Sequence, residues 1–107
     1  MAVTKKKSRN DANLKAILEA MEKYHDENTT ASIKAYRRGP FLIRARILNP
    51  QFKGLSIGER QKSVWKYFET LSDETVNDLG QLLLLTPSEA KESYANRVFE
   101  HPELLDD

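Results

Sequence analysis

Ala31-Ser-Ile-Lys-Ala-Tyr-Arg-Arg38 and, after Gly39-Pro40, Phe41-Leu-Ile-Arg-Ala-Arg-Ile-Leu48 are two runs that alternate with a period of two. That period predicts strands, and the Gly-Pro break predicts a hairpin with a short connection. Alternation assigns the faces. Ile33, Ala35, Phe41, Ile43, Ala45 and Ile47 form the core side. Lys34, Tyr36, Arg44 and Arg46 fall on the other, with Leu42 and Leu48 near the ends. Pro50 stops the second strand because it has no N–H to give to the ladder.

Before the hairpin, Leu14, Ile17, Leu18, Met21 and Tyr24 follow the i, i+3, i+4, i+7 spacing of a helix starting at Asn10 or Asp11. Asp26-Glu27-Asn28-Thr29-Thr30 is rich in turn formers and ends it. After the hairpin, Ser56 and Glu59 form a capping box for a helix whose apolar face is Ile57, Val64, Trp65, Phe68 and Leu71. Trp65 is expected in the core, and Gln61 half-buried in the same face. Ser72-Asp73-Glu74 starts a short helix with Val76 and Leu79, closed by Gly80. Gln81 to Leu85 is a short apolar strand, expected inside the sheet. Thr86-Pro87-Ser88-Glu89 starts a last helix through Ala90, Tyr94 and Val98, ending before His101-Pro102. The predicted fold is α+β: a three-stranded mixed sheet with helices on one face, in the order α-β-β-α-(short α)-β-α.

A chain of 107 residues with 39% hydrophobic content suits one domain. Residues 11–99 are expected to fold, between a disordered basic tail over 1–10 and an acidic tail over 100–107. There is no cysteine, which removes disulfides, thiolate metal sites and thiol nucleophiles. His25 and His101 stand far apart in sequence, and no phosphate-cradling glycine loop is present. No nucleophile–base or metal set can be assembled, so a non-enzymatic protein without cofactor or metal is expected. The basic start leads into no apolar signal core, and no run approaches membrane-spanning length. These features predict a soluble cytoplasmic protein, a monomer or weak homodimer.

The net charge of +1 hides a polarised distribution. Residues 1–36 sum to +2, residues 37–66 to +7 and residues 67–107 to −8. The basic middle and the outer sheet face define a candidate surface for nucleic acid or another anionic partner. Its members are Lys34, Tyr36, Arg37, Arg38, Arg44, Arg46, Arg60 and Lys62. Cations with an aromatic among them suit phosphate contact and base stacking.

The element order, with Phe52-Lys-Gly54-Leu-Ser56-Ile-Gly-Glu-Arg60-Gln61-Lys62-Ser-Val64 inside it, resembles the BolA-like family, whose fold is similar to the class II KH domain. Phe52, Gly54, Ser56, Arg60 and Val64 fit the family's central pattern, and Thr86-Pro87-Ser88-Glu89 fits its later Thr-Pro-x-Glu. The resemblance spans about residues 12–92. It implies an adaptor or regulatory protein acting through protein–protein contacts, with a glutaredoxin-like partner. Gln61 and Asn77 stand where the family has histidines, and the Arg37-Arg38-Gly39-Pro40 loop holds neither His nor Cys. The expected contact is therefore metal-free, without iron–sulfur cluster ligation. Gly54 and Gly58, with three residues between them, do not make the Gly-x-x-Gly loop of KH domains. The alternative expectation is a nucleic-acid-binding module using the basic sheet face and the loop–helix segment.

Overall fold

Asp11 caps the first helix, its carboxylate accepting the Leu14 N–H at 3.1 Å. The structure, a computed structural model, describes residues 11–38 and 42–105. The segment 1–10, the Gly39-Pro40 connection, Phe41 and the last two residues lie outside the described ones. Helix α1 runs Ala12–Glu27 and buries Leu14, Ile17, Met21 and Tyr24 of the predicted stripe, with Ala20 beside them and Leu18 only partly buried. Asn28 closes it, donating from Nδ2 to the Tyr24 carbonyl at 2.9 Å.

Strands β1 (Ser32–Arg38) and β2 (Leu42–Leu48) pair antiparallel, with Ile33 opposite Ile47 and Ala35 opposite Ala45. This is the expected hairpin. Strand β3 (Leu79–Leu85) runs parallel to β2, setting Leu82 beside Ala45 and Leu84 beside Ile47. The sheet order is β1-β2-β3. The α+β class and the mixed three-stranded sheet are as predicted, and five α-helices among the described residues accompany the sheet. β3, however, is an edge strand, against the expectation of an internal one. Its Leu run reflects two covered faces: Leu82 and Leu84 pack on the main core while Leu83 and Leu85 are half-buried on the other side. A covered face and a paired edge leave the same apolar signature in sequence.

Between β2 and the next helix, a 3-10 turn over Pro50–Phe52 drives Phe52 into the core. Gly54 follows at φ +83, a left-handed conformation that favours glycine. Helix α2 (Ile57–Trp65) carries the predicted capping box in full. It ends sooner than its apolar spacing suggested. Three successive i→i+3 bonds, Tyr67 to Val64, Phe68 to Trp65 and Leu71 to Phe68, tighten the chain beyond it. The tighter winding keeps Val64 and Phe68 fully buried but turns Trp65 outward, 39% exposed and stacked on Phe68. Ile57 and Gln61 are exposed as well, so three members of the expected buried face point to solvent.

Helix α3 (Asp73–Asp78) is capped by Ser72, and α4 (Pro87–Glu92) by the Thr86–Glu89 box. The last helix was expected to run on, but Ser93 breaks it. That residue is extended and its hydroxyl accepts the Asn96 N–H at 3.0 Å, starting a separate α5 (Tyr94–Glu100). The break leaves Tyr94 exposed and buries Val98 and Phe99. Glu100, expected in the tail, is the last residue of α5.

The main core joins α1, the inner sheet face, Phe52, Val64 and Phe68. The opposite face is not bare. α5 lies across it, with Phe99 in contact with Tyr36 at 5.0 Å between ring centroids. The expectation of helices on one face alone is corrected here. Once Ser93 restarts the helix, the apolar pair Val98-Phe99 needs a surface to bury, and the outer sheet face supplies it.

Candidate functional site

The eight residues of the candidate basic surface fall in three places. Lys34, Tyr36, Arg38, Arg44 and Arg46 share the outer sheet face, Arg37 turns toward α1 and α3, and Arg60 and Lys62 belong to α2.

On the outer face the charges are largely answered by the protein itself. Arg46 is 8% exposed, donates to Asn96 Oδ1 at 2.9 Å, ion-pairs with Glu100 and lies 4.8 Å over the Phe99 ring. Lys34 reaches the same Glu100 at 3.2 Å. Arg46 first, and Lys34 after it, hold the Glu100 carboxyl below the usual carboxylate range. The Tyr36 hydroxyl donates to the Phe99 carbonyl at 2.7 Å. Arg38 reaches the Pro102 carbonyl at 3.4 Å. Arg44 is half-buried opposite Gln81 in the β2–β3 register.

Arg37 is clasped between two carboxylates, 2.8 Å from Asp11 Oδ1 and 2.7 Å from Asp78 Oδ2. Hydrogen bonding to this guanidinium holds the carboxyls of both partners below the ordinary aspartate range. Asn13 completes the cluster by donating to Asp78 at 3.0 Å and accepting from the Thr75 hydroxyl at 2.8 Å.

Arg60 is a structural keystone of α2. Only 7% exposed, it donates to the Leu55 and Leu84 carbonyls, each at 3.0 Å, and to both Glu89 oxygens at 2.7 and 2.9 Å. The Arg60 guanidinium, helped by the Thr86 N–H, holds the Glu89 carboxyl down to about 2. The remaining family-pattern positions, Phe52, Gly54, Ser56 and Val64, serve the turn, the cap and the core described above.

Lys62 is exposed and makes no ion pair among the described residues. It stands on the rim of a groove of ≈ 1080 Å³ between α2 and β3. Trp65, Val76, Leu79 and Leu82 supply its apolar lining, with Gln61 on the α2 wall. Lys62 and Lys66 face one acid, Glu69, among the lining residues. Sequence reasoning named Lys62 and missed the groove. It placed Trp65 in the core and β3 inside the sheet, and either assignment hides the concavity. The exposed signal was the Lys62–Trp65–Lys66 spacing, a large aromatic with cations three residues before and one after it.

Among the described residues, no group of three or more His, Cys, Asp or Glu side chains is placed to hold a metal. None of the described helices is long and apolar enough to cross a membrane. No family model, curated protein or solved structure matches the chain.

Proposed function

We propose that this protein is a non-enzymatic adaptor that holds a partner protein in the groove between α2 and β3. The observation that carries the reading is the groove itself, an apolar trough beside an uncovered sheet edge with Trp65 open to solvent. Concave, mostly apolar sites with a few polar groups on the rim are the usual form of a binding site. Exposed tryptophan is among the residues that anchor protein interfaces. The resemblance to BolA-like proteins supports the same class of role, with a metal-free glutaredoxin-like protein as the first partner to test.

Nucleic-acid binding through the outer sheet face has less support, because Lys34 and Arg46 already share Glu100, and α5 lies over them. A phosphate ligand would have to displace Glu100 and uncover Phe99, which is 1% exposed.

The test is a native-lysate pulldown with and without nuclease, run on the wild type and on Gln61→Trp. Gln61 is an exposed helix position, so a bulky ring there fills the groove and leaves the core intact. A protein retained by the wild type after nuclease, and lost from Gln61→Trp, is the expected result. Equal retention by both proteins, or retention of nucleic acid alone, overturns the reading.

A further inference from the structure

Strand β3 ends the sheet with neither a charged side chain nor a proline in it, and beyond the register shift at Gly80 it pairs regularly with β2. Edge strands are ordinarily blunted by charged side chains, proline or a covering element, because their free N–H and C=O groups invite pairing. β1, the opposite edge, carries Lys34, Arg37 and Arg38. β3 reads Leu79-Gly-Gln-Leu-Leu-Leu-Leu85, with no charge and no proline.

Two hydrogen bonds fix which of its backbone groups face outward. The Leu85 carbonyl accepts the Asn49 N–H at 2.9 Å, on the β2 side. The Leu84 carbonyl accepts from Arg60 on the α2 side. Alternation then turns the Leu82 N–H and C=O toward the groove, and the Leu84 N–H toward the same outer side of the strand just beyond it. No loop or side chain among the described residues bonds to these three groups. Arg60, locked to Glu89, takes the next acceptor along and so marks where the free edge stops.

We infer that the groove binds an extended peptide segment of a partner protein, added as a fourth strand beside β3. This rests on the adaptor reading above and names the form its partner takes. Backbone pairing to Leu82 and Leu84 supplies affinity, and side chains of alternate peptide residues meet the walls. One set packs on Trp65 and Val76. The rim asks for an acid: Lys62 has no ion pair among the described residues, and Lys66, 5.3 Å over the Tyr67 ring, stands one turn further along. A second copy of this chain fits poorly. Edge-to-edge pairing of two β3 strands brings two sets of Lys62 and Lys66 together and sets two α2 walls against one groove.

The test starts with a random twelve-residue peptide library displayed on phage, panned against the full chain. The best binder is synthesised and titrated into the ¹⁵N-labelled protein. Expected are peptides alternating apolar and polar residues with Asp or Glu among the polar ones. Amide exchange at Leu82 and Leu84 slows on binding. N-methylation of alternate peptide nitrogens weakens binding at least tenfold, while N-methylation of the intervening ones has little effect. Lys62→Glu, at an exposed position, weakens binding about fivefold without changing the fold.

Selected peptides with i, i+4 apolar spacing and no sensitivity to N-methylation overturn strand addition and leave the adaptor reading standing. So does a concentration-dependent dimer in sedimentation whose interface protects the Leu82 amide, since the second copy is then the occupant. No peptide above background overturns the inference. If Gln61→Trp also retains what the wild type retains, the adaptor reading falls with it.

Discussion

Arg60 grips Glu89 with two parallel hydrogen bonds of 2.7 and 2.9 Å, joining α2 to the first turn of α4. The same guanidinium satisfies the Leu55 and Leu84 carbonyls. A flat fork with five donors can do both at once, and an ammonium cannot. Arg60→Lys therefore loses most of the arrangement while keeping the charge. Each lost bond from a charged donor to a carbonyl costs about 1.5–3 kcal/mol, so Arg60→Ala lowers stability by roughly 3 kcal/mol or more. Urea denaturation checks this, and a loss below about 1 kcal/mol contradicts it.

Acid should weaken the fold through the paired carboxylates. Asp11, Asp78, Glu89 and Glu100 are all held below their ordinary values, each chiefly by hydrogen bonding to an arginine. A folded-state value below the unfolded one gives stability that is present above the unfolded value and lost as pH falls through the folded one. For Glu89 that window runs from 4.5 down to about 2. Stability measured by urea titration should be level from neutral pH to about pH 5 and fall steadily below it. Arg60→Met should flatten part of that fall, and an acid limb unchanged by the substitution would show that Glu89 does not contribute.

Arg46 is a test of what covers the outer face. Its guanidinium lies against Phe99 and pairs with Glu100. Arg46→Glu puts a carboxylate at a buried position beside the partly exposed Glu100, a change expected to cost about 3 kcal/mol. Arg46→Met keeps the packing on the ring and should cost less. Thermal unfolding of the two variants decides the matter: equal losses would mean that charge is irrelevant there.

Gly80 marks the crossing of β3 past β2. A Cβ there would stand 2.9 Å from both Leu42 Cβ and Cδ2. Gly80→Ala should therefore destabilise by about 1–3 kcal/mol through overpacking. The Leu42→Ala background should recover part of that loss. A double-mutant cycle with no coupling would place the strain elsewhere.

The sequence made local signals plain. Ser56–Glu59, Ser72 and Thr86–Glu89 each start a helix where their spacing puts one, because a cap is satisfied within four residues. The two faces of the hairpin strands followed from alternation. What stayed hidden depended on partners far along the chain. Trp65 has the right spacing for the core, yet the helix tightens after it and turns it out. Arg46 reads as a solvent-facing cation until Phe99, fifty-three positions on, is seen beneath it. Leu82 to Leu85 cannot reveal whether their apolar character answers covered faces or a paired edge. The candidate groove therefore had only one of its rim residues, Lys62, named beforehand.

The Asp11–Arg37–Asp78 clasp ties together the start of α1, the end of β1 and the end of α3. Asp11 is also the cap of α1, so one carboxylate serves a local and a long-range bond. Parts joined in this way cannot fray one at a time. Loosening α3 frees Arg37, which loosens Asp11 and then the first turn of α1. These three segments should behave as a single cooperative opening unit, losing amide protection together and at a higher free energy than the exposed turn around Gly54.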